Sequence, residues 1–426
     1  MSQVDFLEKL LEGAEVEWKR LVEVGELVRG NGLPKKDFTE SGVPAIHYGQ
    51  IYTYYGLSTE ETISFVSPKT AERLKKVNTG DVVITNTSEN FEDVGKALVY
   101  LGEQQAVTGG HATIFKPGGI ILGKYFAYYT QSPRFENEKR KYAKGAKVID
   151  VSATDMAKIE IPIPCPSDPK RSLEIQAEIV RILDTFTELT TELTTELTAR
   201  KKQYNHYRDQ LLTFEEDQVE WKPLGEVGEF IRGKRFTKKD YVEDGIRCIH
   251  YGEIYTRYGV STEEAHSQVR MEMESSLRYA EPGDVILAGV GETVEEVGKA
   301  VAWLGNGNVA IHDDSYAFRH SMNPKFISYY LQTAKFNTEK EQHVSRGKVK
   351  RLLIKGVSKV GIPIPYPNDP DKSLAEQSRI VAILDKFDAL THSISEGLPR
   401  EIELRQKQYE YYRDQLLNFP KPEGVA

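Results

Sequence analysis

The sequence predicts an α+β protein in which two similar globular α/β domains are separated by two long antiparallel coiled-coil helices, with an internal pseudo-two-fold repeat. Two observations predict this fold: a duplication of about 203 residues, and an apolar seam of helical spacing after each copy. A chain of 426 residues with 39% hydrophobic content can form several domains. We place the first globule at 1–170, the first helical spacer at 171–214, the second globule at 215–371, and the second spacer and tail at 372–426.

The duplication is visible as long identical runs. Residues 46–61 (IHYGQIYTYYGLSTEE) recur as residues 249–264 (IHYGEIYTRYGVSTEE), at an offset of 203. The offset is 201 where IPIPCPSDP meets IPIPYPNDP, and 205 where QYNHYRDQLLTF meets QYEYYRDQLLNF. The second copy is therefore two residues shorter within its globule and four residues longer within its tail. A domain was duplicated together with its linker.

Each globule mixes short strands with turns and short helices. Asp81-Val82-Val83-Ile84 is a β-branched run typical of a strand, and residues 125–131 form a helical patch. The segments IPIPCP and IPIPYP cannot lie inside helices, because proline lacks the N–H donor and clashes with the preceding turn. We expect them to be extended exits from the two globules.

The segment after each globule has a coiled-coil seam. Helices of about 40 residues would be ~60 Å long and would need a partner for their apolar stripe, so we expect the two to pair antiparallel. The run TELTTELTTELT advances in tetrads. Pro399 should kink or restart the second helix. The second seam is predicted at Ile380, Ile383, Phe387, Leu390, Ile394, Ile402, Tyr409, Tyr412 and Leu416.

Composition restricts the class of protein. The N-terminal segment does not resemble a signal peptide and no apolar run is long enough to span a membrane, so we expect a cytoplasmic protein without membrane contact. Cys165 and Cys248 are far apart and predict neither a disulfide nor a zinc site. The net charge of −8 disfavours nucleic acid, but basic residues are concentrated at 134–147 and 343–355, which leaves the rest of the chain strongly acidic.

Residues 173–186 (LEIQAEIVRILDTF) and 374–387 (LAEQSRIVAILDKF), each following an IPIPxP exit, resemble the specificity subunits of type I restriction-modification systems. The order globule, helix, globule, helix is also similar. The resemblance spans nearly the whole chain and implies a non-catalytic subunit whose two target-recognition domains each read one half of a bipartite site in double-stranded DNA.

The resemblance also implies partners and cofactors. Two methyltransferase subunits would dock on the helices, and restriction subunits would join for cleavage. This chain would bind no metal or cofactor, whereas S-adenosylmethionine, ATP and Mg²⁺ would be bound by the partner subunits.

We select candidate DNA-contacting residues from basic loops at equivalent positions, from His-Tyr pairs able to donate, accept and stack, and from loops that differ between the copies. The alternative for the basic loops is that they are charged loops exposed to solvent without contacting DNA. The alternative for the His-Tyr pairs is a structural role, because they are identical in both copies. Asn86 could pair with adenine and Asp313 with cytosine. The candidates are Lys35, Lys36, His47, Tyr48, Asn86, Ser88, His111, Lys144, Lys147, Lys234, Arg235, Lys238, His250, Tyr251, His312, Asp313, Arg346, Lys348 and Lys350.

Two other functions compete with DNA recognition. A coiled-coil scaffold with paired globules that bind protein or another polymer is the second candidate, and an enzyme, a nuclease or methylase in its own right, is the third. The sequence contains no P-loop, HExxH or (D/N)PP(Y/F) motif. His111 beside two glycines suggests a catalytic group, but its repeat partner is Asp314, so the two copies could not perform the same chemistry.

Overall fold

A computed structural model describes residues 6–215, 219–392 and 397–421, and the chain divides into two compact units. One unit is Met1–Glu192 with Glu403–Ala426, and the other is Leu193–Ile402. The division falls inside the first long helix. Each unit therefore contains one globule and helical segments from both copies of the repeat.

The first globule consists of short strands and short helices. Its strands are β1 (Val16–Arg20), β2 (Gly25–Arg29), β3 (Phe38–Thr39), β4 (Val43–Ile46), β5 (Ser58–Thr59), β6 (Ser64–Val66), β7 (Lys75–Val77), β8 (Val82–Thr85), β9 (Thr87–Ser88), β10 (Ala97–Tyr100), β11 (Ala106–Thr108), β12 (Ala112–Pro117), β13 (Ile149–Asp150) and β14 (Glu160–Pro164). Its helices are α1 (Phe6–Leu11), α2 (Leu21–Val24), α3 (Tyr48–Thr53), α4 (Pro68–Glu72), α5 (Gly123–Tyr129), α6 (Pro133–Tyr142) and α7 (Ala153–Met156), with a 3-10 helix at Lys35–Asp37.

The second globule repeats this order. Its strands are β15 (Val219–Pro223), β16 (Gly228–Arg232), β17 (Tyr241–Val242), β18 (Ile246–Ile249), β19 (Ser261–Thr262), β20 (Ser267–Val269), β21 (Tyr279–Ala280), β22 (Val285–Ala288), β23 (Val290–Gly291), β24 (Ala300–Trp303), β25 (Val309–Ile311), β26 (Ser315–His320), β27 (Lys350–Arg351) and β28 (Gly361–Pro365). Its helices are α9 (Leu224–Val227), α10 (Tyr251–Thr256), α11 (Pro324–Tyr330), α12 (Ala334–Glu341) and α13 (Ile354–Val357), with a 3-10 helix at Met271–Ser276.

Three longer helices complete the chain: α8 (Pro169–Leu211), α14 (Pro370–His392) and α15 (Gly397–Leu417). The tetrad run lies within the unbroken α8. Pro399 lies in the first turn of α15, where a missing N–H removes no intrahelical bond, so the predicted restart is confirmed. Ile394 of the predicted seam lies outside the described residues. Among the described helices none is both long and apolar enough to cross a membrane.

Both globules have the same sheet topology. The first contains two five-stranded mixed sheets, ordered β2-β12-β8-β10-β5 and β3-β6-β4-β11-β7, and the second has β16-β26-β22-β24-β19 and β17-β20-β18-β25-β21. The predicted extended exits are strands β14 and β28, which pair antiparallel with β1 and β15. Each globule is thus closed by a ribbon that joins its first strand to its last.

Strand β8 is buried on both faces, and this explains why its residues are apolar without alternation. Val83 packs with Leu98 and Ile114 in one cluster, whereas Val82 and Ile84 belong to another cluster with the aromatic helix α5. Successive side chains of a strand point to opposite faces, so a strand buried on both faces needs apolar residues at every position. The two faces of β22 behave likewise.

A buried glutamine fixes α8 to the first globule. Gln176 accepts a hydrogen bond from the Leu122 N–H at 2.9 Å and donates to the Ile120 carbonyl at 2.9 Å. Gln377 of α14 accepts from the Asn323 N–H at the same distance in the second globule. These glutamines belong to the LEIQ and LAEQ runs on which the family resemblance rests.

An aspartate two turns further along each helix makes a second attachment. Asp184 accepts from the Tyr128 hydroxyl at 2.7 Å and pairs with Lys124 at 2.9 Å. In the second unit Asp385 accepts from Tyr329 at 2.7 Å and pairs with Lys325. Burial, together with the neighbouring carboxylate, raises the pKa of both tyrosines far above the ordinary value, so both hydroxyls stay protonated and donate.

The end of the second copy returns to the first globule. In α15, Tyr412 stacks on Phe186 of α8, with ring centroids 5.1 Å apart, and Tyr409 donates to Gln131 at 2.6 Å. Phe419 is fully buried, and Trp18 donates its indole N–H to the Pro420 carbonyl at 3.1 Å. The C-terminal segment of the second copy therefore packs on the first globule and completes the first unit.

The second unit is closed in the same way by the end of the first copy. Tyr207 of α8 stacks on Phe387 of α14 at 5.7 Å, and Asp209 accepts from the Ala334 N–H at 3.3 Å. Glu196, earlier in α8, lines a cavity with Leu398 of α15. Later residues of α8 thus meet earlier residues of the partner helices, which confirms the antiparallel pairing. The globules also cover part of the apolar stripe, which the sequence analysis did not anticipate.

Replacing Gln176 by alanine should lower the free energy of unfolding by about 2 kcal/mol, because it leaves the Leu122 N–H and the Ile120 carbonyl buried without their partner. Urea denaturation followed by circular dichroism measures this loss. Gln203→Ala is the matched control, since Gln203 is exposed on the same helix and its replacement should cost less than about 0.5 kcal/mol. Equal losses for the two variants would refute the anchoring role.

Candidate nucleic-acid interface

The His-Tyr-Gly run at residues 47–49 begins helix α3. His47 is the N-cap, and its Nδ1 accepts a hydrogen bond from the Gly49 N–H at 3.1 Å. Gln50 completes a capping box by accepting from the His47 N–H. In the second globule His250, Gly252 and Glu253 make the same contacts. The identity of the two runs thus has a structural reason, and a neutral ring that accepts at Nδ1 carries its proton on Nε2.

Burial lowers the pKa of both capping histidines. For His47 the nearby positive charge of Lys35 and the imidazole of His111 act in the same direction. For His250 the pKa falls to about 4, through burial first and then through His312. Both rings are therefore neutral near pH 7, and each has an acceptor Nδ1 committed to the helix.

His111 joins the first cluster from the turn between β11 and β12. Its ring lies 4.9 Å from that of Tyr48, and its Nδ1 is 3.0 Å from the Thr87 hydroxyl. The ring of Tyr48 is in turn 4.5 Å from that of His47. The structure therefore brings together three candidates from separate parts of the sequence, and His111 remains exposed.

Asn86 and Ser88 are buried candidates, as is His312 in the second globule. The Asn86 Oδ1 accepts from the Thr113 hydroxyl at 2.8 Å, and its backbone N–H donates to the His111 carbonyl at 2.8 Å. The Ser88 hydroxyl accepts from the Asn90 N–H at 3.3 Å. In this structure the two side chains support the loop and do not face solvent.

A basic hairpin lies beside this cluster, and we call residues 144–150 the first hairpin. The backbone of Lys144 and Asp150 pairs at its base, and Asp150 also pairs with Thr87 of β9. Lys144 forms an ion pair with Asp155 at 3.0 Å, and the bonds from Lys158 and then from Lys144 hold the pKa of that carboxyl well below its usual range. Lys147 is exposed at the tip, and no ion pair is found for it within the described residues.

Tyr52 connects helix α3 to this hairpin, and the sequence analysis missed it. Its hydroxyl donates to the Thr87 carbonyl, and burial raises its pKa to about 12. Tyr255 makes the equivalent bond to Val290 in the second globule. Both tyrosines lie in the identical runs 46–61 and 249–264, so identity between the copies was the signal that could have revealed them.

Lys35 and Lys36 extend the basic edge of the first globule. They form an exposed 3-10 helix with Asp37. In the second globule Lys234, Arg235 and Lys238 are all exposed, in the loop that follows β16. The backbone N–H of Lys234 donates to the Ile311 carbonyl at 3.0 Å, which ties this loop to the end of β25.

The second cluster is built around His312. Its ring lies 4.6 Å from His250, 5.6 Å from Tyr251 and 4.9 Å from Phe236, which the sequence analysis also missed. His312 is largely buried, with its Nε2 3.1 Å from the Phe236 carbonyl. The repeat equivalent of His111 is Asp314, so the two globules place an imidazole against the His-Tyr pair from different positions of the same turn.

Asp313 and Asp314 lie with His312 close enough to hold a metal ion. Their charges are already compensated, however. Asp314 pairs with Arg351 at 3.1 Å, and Arg232 lies 4.0 Å from the Asp313 carboxylate and donates to its carbonyl. The His312 Nδ1 accepts from the Asp314 N–H at 3.1 Å. These partners favour a structural network over a metal centre.

The second hairpin, residues 345–351, matches the first. Ser345 and Arg351 pair at its base, and Lys350 pairs with Gly291 of β23. Arg346 and Lys348 are exposed, and Lys350 is half-buried. Each globule thus carries a basic hairpin fastened to the strand beside its His-Tyr cluster, a surface suited to phosphate and base contacts.

Comparison with known proteins identifies relatives over the whole chain. A family described as "Type I restriction modification DNA specificity domain" matches residues 14–201 and 216–404. The specificity subunit of the type I restriction enzyme EcoR124I/EcoR124II of Escherichia coli is 34% identical over 100% of both chains. The putative specificity subunit S.HindORF215P of Haemophilus influenzae is 31% identical over 97% of this chain and 98% of its own.

One solved structure has a similar fold. It comes from a study of complex assembly and conformational transition of the type I restriction-modification system. The matched chain has a TM-score of 0.59 and 17% identity, with 94% of this chain and 97% of that chain covered.

The depressed pKa of His250 predicts a pH dependence of stability. The unfolded imidazole takes up a proton near pH 6.5, whereas the folded one does so only near pH 4. The stability that His250 contributes is therefore fully present above pH 6.5 and falls by about 1.4 kcal/mol per pH unit as the pH drops toward 4. His250→Asn keeps a capping acceptor and should remove about this slope in urea denaturation series.

The control for this series is His266→Asn, because His266 is exposed on the same globule and its replacement should leave the slope unchanged. An unchanged slope in His250→Asn would show that the folded ring titrates as freely as the unfolded one, contrary to the geometry.

Proposed function

Because the chain belongs to the type I restriction-modification DNA specificity family, we propose that it is the sequence-recognition subunit of such an enzyme and that each globule reads one half of a bipartite DNA site. One observation carries the proposal: both copies of the repeat match the family, and each contains the same hairpin, strand and His-Tyr surface. Specificity subunits are named for recognition, and catalysis is the task of other subunits.

The basic hairpins would contact phosphates, since Lys147, Arg346 and Lys348 are exposed on a chain that is otherwise acidic. His47 and His250 would offer Nε2 as a donor, with the tilted rings of Tyr48 and Tyr251 beside them. The turn 109–111 and its equivalent 312–314 differ in sequence, and this difference would distinguish the two half-sites.

We propose that two methyltransferase subunits bind along the helices and that restriction subunits join them for cleavage. Several apolar side chains stay exposed on the helices, namely Leu189, Leu390, Leu404 and Tyr411. A protein partner that bound along the helices would cover these side chains. S-adenosylmethionine, ATP and Mg²⁺ would be bound by those partners, and the assembled enzyme would act in the cytoplasm.

Binding of synthetic duplexes by the full chain with its methyltransferase subunits tests the proposal. The modified site is first mapped by sequencing methylated bases in cells that express both proteins. A duplex with both half-sites should bind at least a thousandfold more tightly than one with scrambled half-sites at the same salt concentration. Equal affinity for all duplexes, or binding to protein alone, would favour the scaffold alternative.

Removing the charge of the hairpin tips should weaken binding evenly across DNA sequences. Each lost phosphate contact lowers the slope of log affinity against log salt by about 0.9, so Lys147→Ala with Lys348→Ala should lower it by about 1.8. Titrations at several salt concentrations measure this slope. The matched control is Lys201→Ala, exposed on α8. An unchanged slope in the double variant would place the hairpins outside the interface.

The tetrad run predicts how the gap between the half-sites is set. Four added residues lengthen a helix by ~6 Å and turn its end by ~40°, and one added base pair turns the duplex by ~34°. Inserting or deleting one TTEL unit between Thr187 and Thr198 should therefore change the gap and preserve both half-sites. Methylated-base sequencing reads both features, and an altered half-site with an unchanged gap would contradict the prediction.

A further inference from the structure

The two hairpins share one feature that charge does not explain: an exposed valine at the tip. Val148 is 55% exposed and Val349 is 53% exposed, although valine is usually buried. The repeat provides an internal comparison. Between residues 144 and 150 only Lys147 and Val148 are identical to their equivalents, Lys348 and Val349, whereas all five other positions differ.

The position of these valines is fixed by the fold. The first hairpin is held at its base by the pairing of Lys144 with Asp150, and it is attached to β9 by the pairing of Ile149 with Ser88. Because Thr87 of that strand contacts His111, the hairpin and the imidazole cluster are connected through β9. The second hairpin has the same pairings at Ser345 and Lys350.

The shape of the hairpin favours one groove of DNA. The major groove, about 12 Å wide, admits a two-stranded ribbon more readily than the minor groove, which is about 6 Å wide. The adjacent lysine can reach a phosphate while the tip enters the groove. The apolar feature that a base pair presents there is the C5-methyl group of thymine. A valine is too short to act as the wedge that longer side chains form between base steps.

Resting on the proposed function, we propose that Val148 and Val349 each contact a thymine methyl group in the major groove, so that each half-site contains an A·T pair at the position facing its hairpin tip. The contact is apolar and removes both the methyl group and the valine from water. Lys147 and Lys348 hold the backbone next to that base pair.

Uracil differs from thymine only by the absent methyl group, so a scan of single uracil substitutions through the mapped site tests the contact. The full chain with its methyltransferase subunits should lose affinity about threefold to fivefold at one position in each half-site. Val148→Ala should lose about as much on the thymine duplex and should no longer distinguish uracil in the first half-site. Val349→Ala should behave likewise in the second half-site only.

Val22→Ala is the matched control, because Val22 is equally exposed on α2, outside the hairpin, and its replacement should leave the uracil effect intact. Val148→Ala retaining the full uracil effect would overturn the inference, as would a scan with no sensitive position. A wild-type complex without preference for the split site would overturn the proposed function as well, which separates the two failures.

Discussion

The attachment of each long helix to its globule through a buried glutamine is the contact on which the rest of the structure depends. Gln176 and Gln377 satisfy backbone groups that precede α5 and α11, and Asp184 and Asp385 bind the tyrosines of the same two helices. A buried amide with both ends bonded is costly to leave unpaired, so the helix has one angular setting on the globule. The globule, in turn, positions its loops.

The loops of the candidate interface are also held by hydrogen bonds between side chains and the backbone. A capping histidine fixes the start of α3 or α10, and a tyrosine from that helix bonds the short strand beside the hairpin. The two globules therefore share the backbone arrangement of this surface and differ in the side chains that it presents. The first globule has an exposed His111 at this surface, whereas the second has a buried His312 and two aspartates that are paired with arginines. Two globules of one fold can thereby prefer different bases.

Much of the fold could be predicted from the sequence because duplication and helical spacing are strong signals. The strand at β8, the helix at α5, the extended exits and the restart at Pro399 followed from local rules. The side chains at the candidate interface were harder to predict from the sequence. Asn86 looked like a base reader, but Thr113 and the strand beside it bury its amide, a contact between distant residues that no local pattern reveals. Phe236 and His312 meet for the same reason, because they lie 76 residues apart in the sequence.

Making the two globules identical tests whether each one reads its own half-site. Residues 219–365 would be replaced by residues 16–164, so that the junctions fall at the ribbon pairs β1-β14 and β15-β28. Methylated bases would then be sequenced in cells that express this chain with its methyltransferase subunits. We predict a site composed of two copies of the first half-site, and persistence of the original second half-site would show that the globules do not read the half-sites independently.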